Sequence, residues 1–157
     1  IAKFVYNSNF QRFKGSSFLE NIKEISQQPN GLVQIQTQLL SDILKGRKVK
    51  IHSVSQGITE IEDAISSKQV LLVLDDVDHE DQLDALLQMK DQFCPGSKII
   101  ITTRRARLKT HQVTEVYAVE TLDQNESLEL FSWHAFGQGH PIEDYIEYSK
   151  KIVDHCG

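Results

Sequence analysis

The segment Lys68–Leu83, KQVLLVLDDVDHEDQL, sets the strictest limit on what this chain can fold into. Val70 to Leu74 are apolar without a break, and acids follow at once at Asp75, Asp76 and Asp78. The pattern predicts a buried strand whose charges are held off to its end, because a carboxylate is costly inside a core. Lys98–Thr103, KIIITT, repeats the pattern, continuous in Ile rather than alternating. Strands apolar on both sides belong to parallel sheets with helices on both faces.

The rest of the chain supplies such helices. Ile1–Phe10 reads as a helix, and Gly15–Leu19 (GSSFL) as a short strand behind a glycine turn. Leu32, Ile35, Leu39, Leu40 and Ile43 fall on one helical stripe; Ile58, Ile61, Ala64 and Ile65 form a second; Leu83, Leu86 and Leu87 mark a third. Gly46–Ser55 is polar and basic, a loop, and CPGS (Cys94–Ser97) is a turn. Glu115–Val119 (EVYAV) reads as a third long-range strand. Two successive helices then follow, Glu126–Phe136 and Ile142–Val153, with Leu128, Phe131 and Ala135 on one core-facing stripe and Trp133 and His134 on another face. Residues 1–120 therefore read as a doubly wound α/β unit and 121–157 as the start of an all-helical subdomain.

Composition excludes several classes. With 39% apolar and 25% charged residues, 157 residues can bury a core. The net charge of -5 argues against a nucleic-acid or anionic-membrane binder, and the densest basic groups, 45–50 and 104–109, are short. No apolar run approaches a membrane span. Two cysteines, Cys94 and Cys156, give no disulfide framework and fit a reducing compartment. None of the six histidines has zinc-ligand spacing.

In open parallel sheets, ligands bind at the carboxyl ends of the strands. Two such ends are polar here: Asp75-Asp76, and Thr102, Thr103 and Arg104. An apolar strand ending in two acids is the Walker B pattern, in which the first acid serves Mg2+ and the second orients water near a γ-phosphate. An Arg beyond a neighbouring strand offers phosphate a planar, permanently charged donor fork. Each feature also has a plainer explanation. Acids end strands wherever the chain leaves the core, and Arg104 alone reads as a solvated loop residue. Asp78 precedes the Leu83/Leu86/Leu87 helix and reads as its N-cap rather than a metal ligand.

Four blocks in order, FKGSSFLENI (13–22), KQVLLVLDDVDHEDQLDAL (68–86), PGSKIIITTR (95–104) and YAVETLDQNESLELFSWHAF (117–136), cover nearly the whole chain. Together they resemble the NB-ARC nucleotide-binding domain of plant NBS-LRR disease-resistance proteins, and Asp78 after LDDV with GSSFLENI upstream resembles the subclass with an N-terminal TIR domain. The resemblance implies a P-loop NTPase-type sheet binding ADP or ATP with Mg2+. Asp75 would be the magnesium-associated acid, Asp76 the catalytic acid implicated in hydrolysis, and Arg104, with Thr103 beside it, the sensor of the γ-phosphate. It implies a switch, resting with ADP and active with ATP, reset by slow hydrolysis. Its partners would be intramolecular TIR and leucine-rich-repeat domains and a homo-oligomer on activation, without nucleic acid or membrane, in the cytoplasm or nucleus.

The departures are equally specific. No G-x-x-x-x-G-K-[ST] occurs, so the resemblance implies a chain that begins just after the phosphate loop and stops within the helical subdomain. The missing strand is expected between those ending at Leu74 and Thr103, leaving both with unpaired edges, so that the piece alone folds poorly and binds nucleotide weakly or not at all. Three rivals compete. A response-regulator receiver lacks a Lys after a later strand, since Glu120 and Thr121 stand there. A degenerate NTPase-fold interaction module would use Leu130, Phe131 and Trp133 as an interface. A bacterial or animal member of the same ATPase group lacks the TIR-type features.

Overall fold

The computed structural model describes residues 1–45, 49–88, 93–105, 108 and 115–156; residues 46–48, 106–107 and 109 of the two basic groups, and 46–48 of the predicted loop, lie outside them. Two compact units are present, Ile1–Val113 and Thr114–Gly157.

The first unit runs α1 (Ala2–Asn9), a 3-10 turn (Phe10–Arg12), β1 (Gly15–Leu19), α2 (Ile22–Ser26), α3 (Gly31–Ile43), α4 (Val54–Ser66), β2 (Val70–Leu74), α5 (Glu80–Leu87) and β3 (Lys98–Ile101). All strands are parallel in the order β1-β2-β3. Val70 to Leu74 are at most 2% exposed, as an unbroken apolar strand requires. Alternation along the strands divides their side chains between two faces. Leu19, Val70, Leu72, Leu74, Ile99 and Ile101 share the face that packs with α3, α4 and α5. On the other face Tyr6 of α1 meets Phe18 edge-on, ring centroids 5.4 Å apart, and its hydroxyl donates to Ser16 Oγ at 3.4 Å.

Two expectations are corrected. The strand ends at Leu74 and beside Thr103 are not left as unpaired edges in this chain. Leu71 to Leu74 pair directly with Lys98 to Ile101, and the Thr102 N–H extends the ladder to Leu74 O at 2.9 Å. β2 is therefore the central strand with both edges paired. β3 is less enclosed than its sequence suggests, with Lys98 exposed and its three isoleucines half-buried. The strand expected over Glu115–Val119 does not form. Val116 and Tyr117 stand 85% and 82% exposed, so this segment joins no sheet.

The helices stand where the apolar stripes place them. Ile35, Leu39, Leu40 and Ile43 of α3 and Ile61, Ala64 and Ile65 of α4 are buried. Ser53 caps α4, its Oγ accepting from the Gln56 N–H at 3.2 Å. Gln36 locks three helices together. It is fully buried, and its Nε2 donates to Val54 O at 2.9 Å and Ala85 O at 2.8 Å. Its Oε1 has no hydrogen-bond partner among the described residues and lies over the bare Cα of Gly57.

The second unit holds α6 (Gln124–Phe136), a 3-10 turn (Glu143–Tyr145) and α7 (Ile146–Cys156). Asp123 caps α6 in a capping box with Glu126, and Gly137 ends it at φ 70°. The two helices pack on each other, and a small residue on each, Ser132 and Ser149, is buried. The expected core stripe is only partly realised: Leu128 and Phe131 are half-buried, whereas Ala135 is exposed. Leu130, Trp133, Tyr145 and Ile152 remain about half exposed, at 50%, 56%, 54% and 46%.

Gly57→Ala tests the three-helix lock. A Cβ there would lie 2.0 Å from Gln36 Oε1, and Gln36 is held by two hydrogen bonds. We expect a loss of roughly 1–3 kcal/mol of stability, as overpacked cores show. Chemical denaturation that finds the variant as stable as the parent would contradict this packing.

Candidate functional site

Parallel register brings the strand ends to one rim. Leu19 pairs with Leu74 and Leu74 with Ile101, so Glu20, Asp75 and Thr102 emerge side by side. A cleft of about 410 Å³ opens there, bounded by Ile1 and Ala2 at the start of α1, Glu20 and Asn21 after β1, and Asp75 and Thr102. Lys3 pairs with Glu20 and lies 4.2 Å from the centroid of the Phe18 ring, closing one side.

The acid pair is held by its backbone. The Asp75 N–H donates to Leu19 O at 2.9 Å. The carbonyls of Asp75 and Asp76 accept from the N–H groups of Ile22 and Lys23 at 3.0 and 3.2 Å, satisfying two donors that the first turn of α2 leaves open. Asp76 is in the left-handed region at φ 56°, a conformation that Asp tolerates better than most residues but that still needs outside support. Its N–H donates to Thr102 Oγ1 at 2.9 Å, and the same hydroxyl donates to Asp75 Oδ1 at 2.7 Å. One threonine thus ties both acids to the neighbouring strand.

The remaining predicted site residues divide. Arg104 Nε lies 3.9 Å from Asp76 Oδ1, but its side chain is 95% exposed, so the pair is a weak surface contact. Thr103 is exposed and turns to its own loop, its Oγ1 accepting from the Arg105 N–H at 3.1 Å. Thr102, one residue earlier, makes the contacts to the acids. The strand register could have singled it out, since Thr102 stands beside Asp75 once Ile101 stands beside Leu74.

Asp78 is not the N-cap of α5, which corrects the sequence expectation. His79 holds that position: its Nδ1 accepts from the Asp81 N–H at 3.4 Å, and Gln82 reaches back to the His79 N–H at 3.2 Å. A capping box wants Glu or Gln three residues on, and from Asp78 that residue is Asp81. Asp78 instead braces the turn. Its Oδ1 accepts from Gln82 Nε2 at 2.8 Å and its Oδ2 lies 3.8 Å from Lys23 Nζ. Gln82 Nε2 also donates to Ser26 Oγ at 2.8 Å, so α2 is bound to the turn after β2.

The rim suits a hard cation shared with a ligand better than a closed metal cage. Among the described residues no three His, Cys, Asp or Glu side chains converge. Mg2+ bound to a nucleotide needs only one or two protein carboxylates, the rest of its shell being water and phosphate oxygen. Asp75 fits: one oxygen is held by Thr102, and Oδ2 has no hydrogen-bond or ion-pair partner among the described residues. Among the same residues, no helix is long and apolar enough to cross a membrane.

Comparison with known proteins shows the family. Residues 9–140 match the NB-ARC domain family. Disease resistance protein RUN1 of Vitis rotundifolia is 44% identical over 158 residues, covering 99% of this chain and 12% of that protein. Disease resistance protein RPV1 of the same species is 42% identical, covering 99% of this chain and 11% of the relative. TMV resistance protein N of Nicotiana glutinosa is 37% identical over 151 residues, covering 96% of this chain and 13% of its own length. The chain thus spans about an eighth of the length of these relatives. With an α/β parallel sheet, acids at the end of its central strand and a family match over most of its length, the chain belongs to the NB-ARC domain family.

Proposed function

We propose that this chain is part of the ADP/ATP-binding switch of a plant disease-resistance receptor of the TIR type. The supporting observation is the cleft at the strand ends, where Asp75 presents a carboxylate already oriented by Thr102. Family membership and relatives named as disease resistance proteins support the same reading. Asp75 is the residue that would hold Mg2+, which when bound neutralises charge on the phosphates. Asp76, fixed by Thr102 and by the N–H of Lys23, orients the attacking water. Arg104 is exposed and close to Asp76, so it can turn to a γ-phosphate without breaking a strong contact.

The switch follows from differential binding. ATP offers Arg104 a γ-phosphate that ADP lacks, and only such a difference can shift a conformational equilibrium. In the whole receptor that shift would act on TIR and leucine-rich-repeat domains and on self-assembly, in the cytoplasm or nucleus. A second reading, an interaction module without turnover, has its own support in the half-exposed Leu130, Trp133 and Ile152 of the second unit.

Binding measurements on the intact protein separate the two. Asp75→Asn is expected to weaken Mg2+-dependent ADP binding about 10-fold or more, the scale of a lost charge-assisted contact. Unchanged Mg2+-nucleotide affinity would favour the interaction module. Arg104→Ala should leave ADP affinity within about two-fold and reduce any preference for ATP by about 10-fold, again the scale of a charged hydrogen bond. Equal losses for ADP and ATP would remove Arg104 from the sensor role.

A further inference from the structure

We propose that Glu20 is a positioning residue that holds Lys3 against the Phe18 ring, and so sets the charge that the phosphates of a nucleotide meet beside Asp75; the inference rests on the nucleotide reading above. Backbone bonds fix the place of Glu20. The Asp75 N–H donates to Leu19 O at 2.9 Å and the Ile22 N–H donates to Asp75 O at 3.0 Å, so Glu20 is bracketed by two bonds to the backbone of the acid. Leu19 pairs with Leu74, which leaves the backbones of Glu20 and Asp75 about one strand spacing, roughly 4.8 Å, apart. Lys3, in the first turn of α1, pairs with Glu20 and lies 4.2 Å from the centroid of the Phe18 ring, which Tyr6 meets edge-on. Contact of one lysine with both residues puts the Glu20 carboxylate on the face that α1 covers, and Lys3, Glu20 and Asp75 line the same cleft. Every contact invoked lies in α1, β1, β2 and the residues that follow the two strands, and none uses the edge of β2 that faces β3.

The consequence is electrostatic. Lys3 and Glu20 are 56% and 57% exposed, so their pairing adds little to stability. It does cancel two charges that stand within a screening length, about 8 Å at physiological salt, of Asp75. With Glu20 in place the ammonium is occupied by a carboxylate and an aromatic face. Without Glu20 that cation is free to turn to phosphate. Without Lys3, Glu20 adds a second negative charge beside Asp75, which attracts Mg2+ and repels phosphate. Removing the two charges therefore has opposite effects on nucleotide binding.

The test measures ADP binding by the intact protein in EDTA and with Mg2+, for Glu20→Gln, Lys3→Met and the double variant. Glu20→Gln should raise ADP affinity in EDTA about 3-fold or more, and Lys3→Met should lower it by a similar factor. The gain in affinity on adding Mg2+ should shrink in Glu20→Gln and grow in Lys3→Met. The double variant should return to within about two-fold of the parent, because the two changes act through one pair. All these differences should fade at about 0.5 M salt, and each variant should unfold at the parental temperature. A structural pair would lower binding in both single variants and lower their unfolding temperature, and that result overturns the inference. Parental affinity in both single variants, or shifts that persist at high salt, overturns it as well, while Mg2+-dependent ADP binding by the parent leaves the nucleotide reading intact. Absence of ADP binding by the parent overturns both.

Discussion

The first unit depends on the complete enclosure of β2. Val70 to Leu74 are buried on both faces and hydrogen-bonded along both edges. Each of these side chains contributes roughly 1.5–3 kcal/mol by leaving water. No position within the strand can hold a charge, because none reaches solvent or a counter-charge. The first place where polarity is tolerated is the residue after Leu74, and the acids begin there. The same enclosure that stabilises the sheet therefore delivers the acid pair to its rim.

Around that strand, a few polar side chains act as connectors between apolar elements. Gln36 joins α3, the start of α4 and the end of α5; Gln82 joins α2 to the turn after β2; Ser17 of β1 donates to Asp42 of α3 at 2.6 Å. Thr102 does the same between β3 and the acids. Hydrogen bonds of this kind are directional, so they select one arrangement among the many that would bury the same apolar area. The start of α2, the acid pair and the residue after β3 are joined by such bonds beside the cleft.

The second unit is built differently. Its two helices pack with Ser132 and Ser149 buried, and Phe131, Phe136 and Tyr145 form a short aromatic chain with centroids 6.1 and 6.0 Å apart. A pair of helices has too little interior to cover the apolar residues of both, so Leu130, Trp133 and Ile152 stay half exposed. Single-helix stripes therefore overstated the burial here, whereas in the first unit each stripe had a sheet to face.

What the residues alone determine is the set of elements and their chemistry. Continuous apolar runs define β2 and β3, 3.6-residue stripes define α3 and α4, and the acids are confined to a strand end by the cost of burying charge. Strand order, by contrast, is a property of backbone pairing, and no side-chain pattern reports which edges meet. For that reason β2 and β3, expected to keep unpaired edges, pair directly in this chain, and 115–119 stays outside the sheet despite its strand-like composition. The cap of α5 passes to His79 because its loop geometry suits Gln82, a choice one residue finer than sequence spacing resolves. Thr102 gains its place for the same reason: only once the register sets Ile101 beside Leu74 does its hydroxyl, rather than that of Thr103, come within reach of both acids.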